Sequence, residues 1–218
     1  EAGSLRLSGH AGNAPGTATI SAIGEGGLTA ETTVLIAAPT ADSLELTAST
    51  IDLSVAHPAR FARLVLIGSA CRGAPGPDEW PESYREIGLA IDAAEEAGDL
   101  DEVNRLEAWL WLDGPSAPEG RVTGPARNLF LAMNARALAA VDPGEEVGRP
   151  SAWVALGSVG VPTLVLVGDL DLEDIRQTSE GLAARIPGAT LEVLEGTAHL
   201  PQLEGHPRCL GAIRDFLS

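Results

Sequence analysis

Apolar positions along this chain follow two patterns: short unbroken runs closed by a turn, and longer stretches where they return every three or four residues. Leu64-Val65-Leu66-Ile67 closes at Gly68, Val161-Pro162-Thr163-Leu164-Val165-Leu166-Val167 closes at Gly168, and Ala189-Thr190-Leu191-Glu192-Val193-Leu194 runs into Glu195-Gly196. Runs of this length predict strands, and unbroken apolar character suits strands covered on both faces of a parallel sheet. Between the first two runs the period lengthens. Ile87, Ala90, Ile91 and Ala94 share one helical face that Gly98 ends. Asp99 to Trp111 predicts a second helix, with Asp99 or Asp101 as N-cap and Val103, Leu106 and Leu110 on one side. Asp113-Gly114-Pro115 stops it, and a further helix runs from about Pro125 to Ala140. Leu172 to Ile186 and Pro207 to Leu217 complete the helical set.

Taken in order, strand, helical block, strand, helix, strand and helix with short links imply a mostly parallel sheet with helices on both faces. Residues 72–82 hold prolines and glycines that read as a loop leaving the sheet, so 72–150 forms an inserted helical cap. Residues 1–71 and 151–218 are then the α/β core. Upstream, Leu46 to Ala56 predicts a helix, weakened by Thr47, Ser49 and Thr50, and broken at His57-Pro58. The first 45 residues are rich in Gly, Ala, Thr and Ser and weakly patterned, apart from a candidate strand at Thr32 to Ala37. The chain opens at Glu1 with no Met, which fits a missing N-terminal portion.

Charge narrows the partners. With 218 residues and a formal net charge of -17, the chain is a poor match for nucleic acid or an anionic membrane. No signal peptide or membrane-length apolar run is visible, so a cytoplasmic protein is expected. Cys71 and Cys209 stand in no metal-type spacing and read as reduced structural cysteines. All 14 basic residues are arginine, a bias that suggests a GC-rich bacterial coding sequence.

In open parallel sheets, functional groups gather beyond the carboxyl ends of the strands. Two such ends carry ionisable residues here: Gly168-Asp169-Leu170-Asp171, and Glu195-Gly196-Thr197-Ala198-His199. On neighbouring strands, a carboxylate orients an imidazole and steadies the imidazolium formed when it takes a nucleophile's proton. His10, His57 and His206 lack that context and read as surface histidines. Gly24-Glu25-Gly26-Gly27 is followed by no lysine and is no phosphate loop. Nothing here calls for a metal or an organic cofactor.

These motifs resemble the α/β-hydrolase superfamily over roughly residues 51–218. His57-Pro58 through Gly68 is similar to the helix after the nucleophile elbow and its following strand. Val161 to Asp171 resembles the strand that delivers the acid, with Asp171, the second carboxylate, in the acid's place. Pro187-Gly188-Ala189 through His199-Leu200-Pro201, with Glu204 and Pro207 downstream, is similar to the histidine strand and loop. The block containing Trp109-Leu110-Trp111-Leu112-Asp113-Gly114-Pro115 resembles lids of actinobacterial members. The resemblance implies a nucleophile-His-Asp triad with His199 as base and Asp171 as orienting acid.

One motif is absent. The superfamily's nucleophile sits on a strained Gly-x-Ser-x-Gly turn, and the sequence contains no such pentapeptide. Counting back from His57-Pro58 points to Ser43, flanked by Ala41-Asp42 and Leu44-Glu45; counting forward from Val34 to Ala37 points nearer Pro39 or Thr40. Ser8-Gly9-His10-Ala11-Gly12 faintly resembles either the family's oxyanion-hole loop or its later Arg-Gly-His-Gly segment, and the second match implies that the first strands of a complete member lie outside this sequence. The expected activity is hydrolysis of a small apolar ester or related acyl compound. The rival is a hydrolase-fold binding protein, or a fragment, that lacks the elbow. Oligomeric state is not legible.

Overall fold

The computed structural model describes the strand backbones at 16–23 and 29–36, together with residues 51, 54, 55, 61–77, 79–140 and 151–218. The chain divides into two compact units, Glu1–Ser49 and Thr50–Ser218. In the first, strand β1 (Gly16–Ile23) pairs antiparallel with β2 (Thr29–Ile36), from Gly16 opposite Ile36 to Ile23 opposite Thr29. The strand expected at Thr32 to Ala37 is therefore present. It belongs to a two-stranded sheet of its own and not to a parallel one. Most of the helix expected at Leu46 to Ala56 lies outside the described residues; Ile51, Ser54 and Val55 within it are helical.

The second unit is built on a parallel sheet of three described strands, ordered β3 (Leu64–Ile67), β4 (Thr163–Gly168), β5 (Thr190–Leu194). Leu66 lies opposite Val165, and Val165 opposite Leu191, so alternate residues form one surface across all three strands. β4 is central and all six of its residues are buried. Leu64, Leu66 and Val165 face Leu182 of a helix we label α4 (Glu173–Arg185), and Ile186 just beyond its end. Leu164, Leu166 and Leu194 face Cys209 and Ile213 of α5 (Pro207–Leu217) on the opposite side. Each fully buried Val or Leu of β4 contributes about 1.5–3 kcal/mol relative to exposure, so this strand anchors the unit. Cys71 packs on the first face and Cys209 on the second, where burial pushes its thiol up to about 11.

Between β3 and β4 come α1 (Glu82–Ala97), α2 (Leu100–Glu107) and α3 (Pro125–Leu138). Gly98 caps α1, and the Asp99 carboxylate accepts the Glu102 N–H at 3.1 Å to start α2, as the sequence predicts. Ala94, Val103 and Leu106 form this block's own small core. The predicted helix to Trp111 does not continue as an α-helix. Ala108–Asp113 widens into a π-helical turn, closed by the Gly114 N–H donating to the Trp109 carbonyl at 2.9 Å. A 3-10 segment at Ala152–Ser158, which the periodicity did not predict, leads into β4 and buries Leu156. No described helix is long and apolar enough to cross a membrane.

Candidate active site

The carboxyl ends of β4 and β5 meet through a close crossing of their loops. A Cβ on Gly168 would lie 2.1 Å from the Thr197 carbonyl oxygen and 2.3 Å from that of Ala198, so only hydrogen fits there. Three hydrogen bonds fasten the crossing. The Asp169 N–H donates to Leu194 O at 3.1 Å, the Leu170 N–H to Thr197 O at 3.1 Å, and the Gly196 N–H to the Asp169 carboxylate at 2.7 Å. The first carboxylate of Gly-Asp-x-Asp thus ties the two loops together and the second is released for the histidine.

Both oxygens of Asp171 lie 3.0 Å from His199 Nδ1. The Asp171 side chain is 1% exposed and that of His199 is 23% exposed. Asp171 Oδ1 also accepts the Leu172 N–H at 2.8 Å as the chain enters α4, whose N-terminal amides favour negative charge. A carboxylate on Nδ1 fixes the proton there and leaves Nε2 as an acceptor. Gly68, just past the end of β3 with φ of 51°, also comes close to the ring; a Cβ on it would stand 3.1 Å from His199 Nδ1. The Trp111 ring packs at 4.8 Å from the imidazole, and the Trp111 carbonyl accepts the His199 N–H at 3.2 Å. The π-helical turn therefore touches the histidine by both ring and backbone.

A further carboxylate, Asp174, stands in the first turn of α4. Burial pushes the Asp174 carboxyl up from the usual aspartate range, and the charge of Asp171 adds to it; backbone N–H donors and His199 pull the other way. Its Oδ1 is buried without a hydrogen-bond partner. Burial likewise raises the Tyr84 phenol, with Asp174 and Asp92 contributing. Tyr84 stacks on Trp80 at 4.3 Å, and both line a cavity of about 150 Å³ with Pro115, Ser116, Leu170 and Asp171.

The structure thus brings together Asp171 and His199, two of the three residues expected from sequence. Ser43 lies outside the described residues, as do Thr40, Asp42, His10 and His57. His206 is partly exposed and takes no part in this cluster. No group of three or more His, Cys, Asp or Glu side chains able to hold a metal occurs among the described residues. Sequence reasoning missed Gly68 and Gly168 as close-approach positions, and Trp111 as the residue against His199. It placed Glu204 in the histidine loop without a task. The glycines that close the β3 and β4 runs were the available signal.

No family model matches the chain, and no curated protein does. Solved structures do. A thermophilic esterase from Thermogutta terrifontis is 23% identical, with a TM-score of 0.53 over 77% of this chain and 59% of its own. The 2-hydroxy-6-oxo-6-phenylhexa-2,4-dienoate hydrolase from Rhodococcus sp. strain RHA1 is 23% identical, with a TM-score of 0.54 over the same 77% and 59%. MenH from S. aureus is 17% identical, with a TM-score of 0.50 over 77% of this chain and 62% of its own. The chain spans less than two thirds of the length of each structure.

Proposed function

We propose that this chain, which has the α/β-hydrolase fold, is a hydrolase of a small, fairly apolar ester or related acyl compound. The observation that carries the reading is the pairing of His199 Nδ1 with a buried Asp171, on a ring that stays partly exposed. A buried acid, a tautomer fixed by it and an accessible Nε2 are what a general base for a nucleophile requires. In this reading Ser43 supplies the hydroxyl. His199 takes its proton as the oxygen attacks the acyl carbon, then gives that proton to the leaving group. Water repeats the sequence to free the acid and restore the serine. Asp171 orients His199 and balances its charge throughout. In this reading residues 72–150 are the cap, and the cavity beside Asp171, with Trp80 and Tyr84 on its wall, receives the substrate. The bacterial, cytoplasmic setting and the partnership with a small molecule alone belong to the same reading.

The missing Gly-x-Ser-x-Gly favours a second reading, a hydrolase-fold binding protein without a nucleophile. Treatment with a serine-reactive fluorophosphonate, followed by intact and peptide mass spectrometry, separates the two. The expected result is one adduct on the Ser43 peptide, abolished in His199→Ala. A folded protein that takes no adduct sinks the hydrolase reading.

A further inference from the structure

We propose that Arg121 is a positioning residue for His199, acting through Glu204 to hold the histidine loop against the helical block. The inference rests on the hydrolase reading, in which His199 carries the proton. Arg121 directs its guanidinium at two segments distant in sequence. Its Nε donates to the Asp113 carbonyl and its Nη2 to the Leu112 carbonyl, each at 2.7 Å, at the end of the π-helical turn. Its Nη1 donates to the Gly196 carbonyl at 2.9 Å and pairs with Glu204 Oε2 at 2.7 Å. Glu204 passes the restraint on, since its Oε1 accepts the Ala198 N–H at 2.9 Å. The next residue is His199, whose own N–H is held by Trp111, a neighbour of Leu112.

Two separate restraints therefore act on the histidine. Asp171 holds the ring from Nδ1; Arg121 and Glu204 hold the backbone from which the ring projects. Only a planar guanidinium with its donors in a fixed fork meets three carbonyls and a carboxylate at once, so lysine is no substitute. Both partners are largely buried. A buried ion pair adds little net stability over an apolar replacement, because desolvation offsets the attraction. Geometry is what this pair supplies. Misplacing a reacting group by about 1 Å costs on the order of 100-fold in rate, and the Arg121–Glu204 link guards against a displacement of that kind.

The test compares the full-length wild type with Arg121→Lys, Arg121→Met and Glu204→Gln. Three quantities are read on each: the fluorophosphonate labelling rate, the thermal midpoint, and the proton resonance of His199 Nδ1–H. Arg121→Lys and Arg121→Met are expected to label about 10- to 100-fold more slowly while remaining folded, with the Nδ1–H resonance broadened. Glu204→Gln keeps an acceptor for Ala198 and is expected to retain an intermediate rate. Wild-type labelling in both Arg121 variants overturns the proposal. So does slower labelling explained wholly by unfolded protein, with the resonance unchanged in the folded fraction. If the wild type itself takes no label, the hydrolase reading fails, and the Nδ1–H resonance alone decides on Arg121. Broadening in Arg121→Lys then upholds the restraint, and an unchanged resonance removes it.

Discussion

Two buried carboxylates, Asp171 and Asp113, lie on segments that touch the His199 loop, and their partners set them apart. The Asp113 side chain is wholly buried, accepts the N–H groups of Gly120 and Val122 at 2.8 Å, and pairs with Arg127 at 2.7 Å. Asp171 is almost as deeply buried but accepts one backbone N–H and faces an imidazole. A guanidinium holds its charge at any accessible pH, so Asp113 is locked into a fixed structural role. An imidazole held at one ring nitrogen keeps the other as an acceptor, so the partner of Asp171 has a group left to use. Burial and pairing alone therefore do not mark a reactive site. The distinguishing facts are a partner with a nitrogen left free of the pair, its partial exposure, and its place at a strand's carboxyl end.

The largest expected effect tests that contrast directly. Asp171→Asn is expected to lower the fluorophosphonate labelling rate by about 10³- to 10⁴-fold, because the amide no longer fixes the productive tautomer. Its unfolding free energy, from denaturant titration, should change by about 1 kcal/mol or less. Asp113→Ala should do the opposite. It leaves Arg127 without its carboxylate and two backbone donors without acceptors, at a cost of about 3–5 kcal/mol, and lowers the thermal midpoint by roughly 10 °C. A stable Asp113→Ala protein, or a badly destabilised Asp171→Asn one, would erase the distinction between the two carboxylates.

The smallest effect concerns Asp174. A carboxyl raised by burial contributes stability while protonated, and loses it as pH rises through its raised folded-state value. Asparagine at this position avoids that loss. Asp174→Asn is therefore expected to melt like the wild type at acidic pH and modestly above it toward neutrality. Melts across about pH 4 to 7 check this. A gain at the acidic end instead would mean that the unpartnered Oδ1 is not the source.

The legible part of this molecule was local. Runs ending in glycine marked β3 and β4, and Asp99 announced its own cap, because such signals depend on neighbours in sequence. Asp171 and His199 were found because both follow strand ends, and the sheet itself brings strand ends together. What escaped depends on contacts across the chain. Nothing in Ala108–Asp113 distinguishes a π-helical turn from another turn of α2; its widening accompanies the contact of Trp111 with His199. Arg121 and Glu204 lie too far apart in sequence for any spacing rule to join them. The strand Gly16–Ile23 was missed although Thr17, Thr19 and Ser21 alternate with Ala18, Ile20 and Ala22, because two of those apolar residues are small alanines; its pairing with β2 is what defines it.

Gly168 sets a limit on how this site can change over generations. The residues of both loops offer side chains that substitution can alter one at a time, but at the crossing a single methyl group already has nowhere to go. Variants that retune the pocket must therefore work around one immovable point. Lineages that lose that glycine would have to rebuild both loops together, a step that single substitutions do not reach.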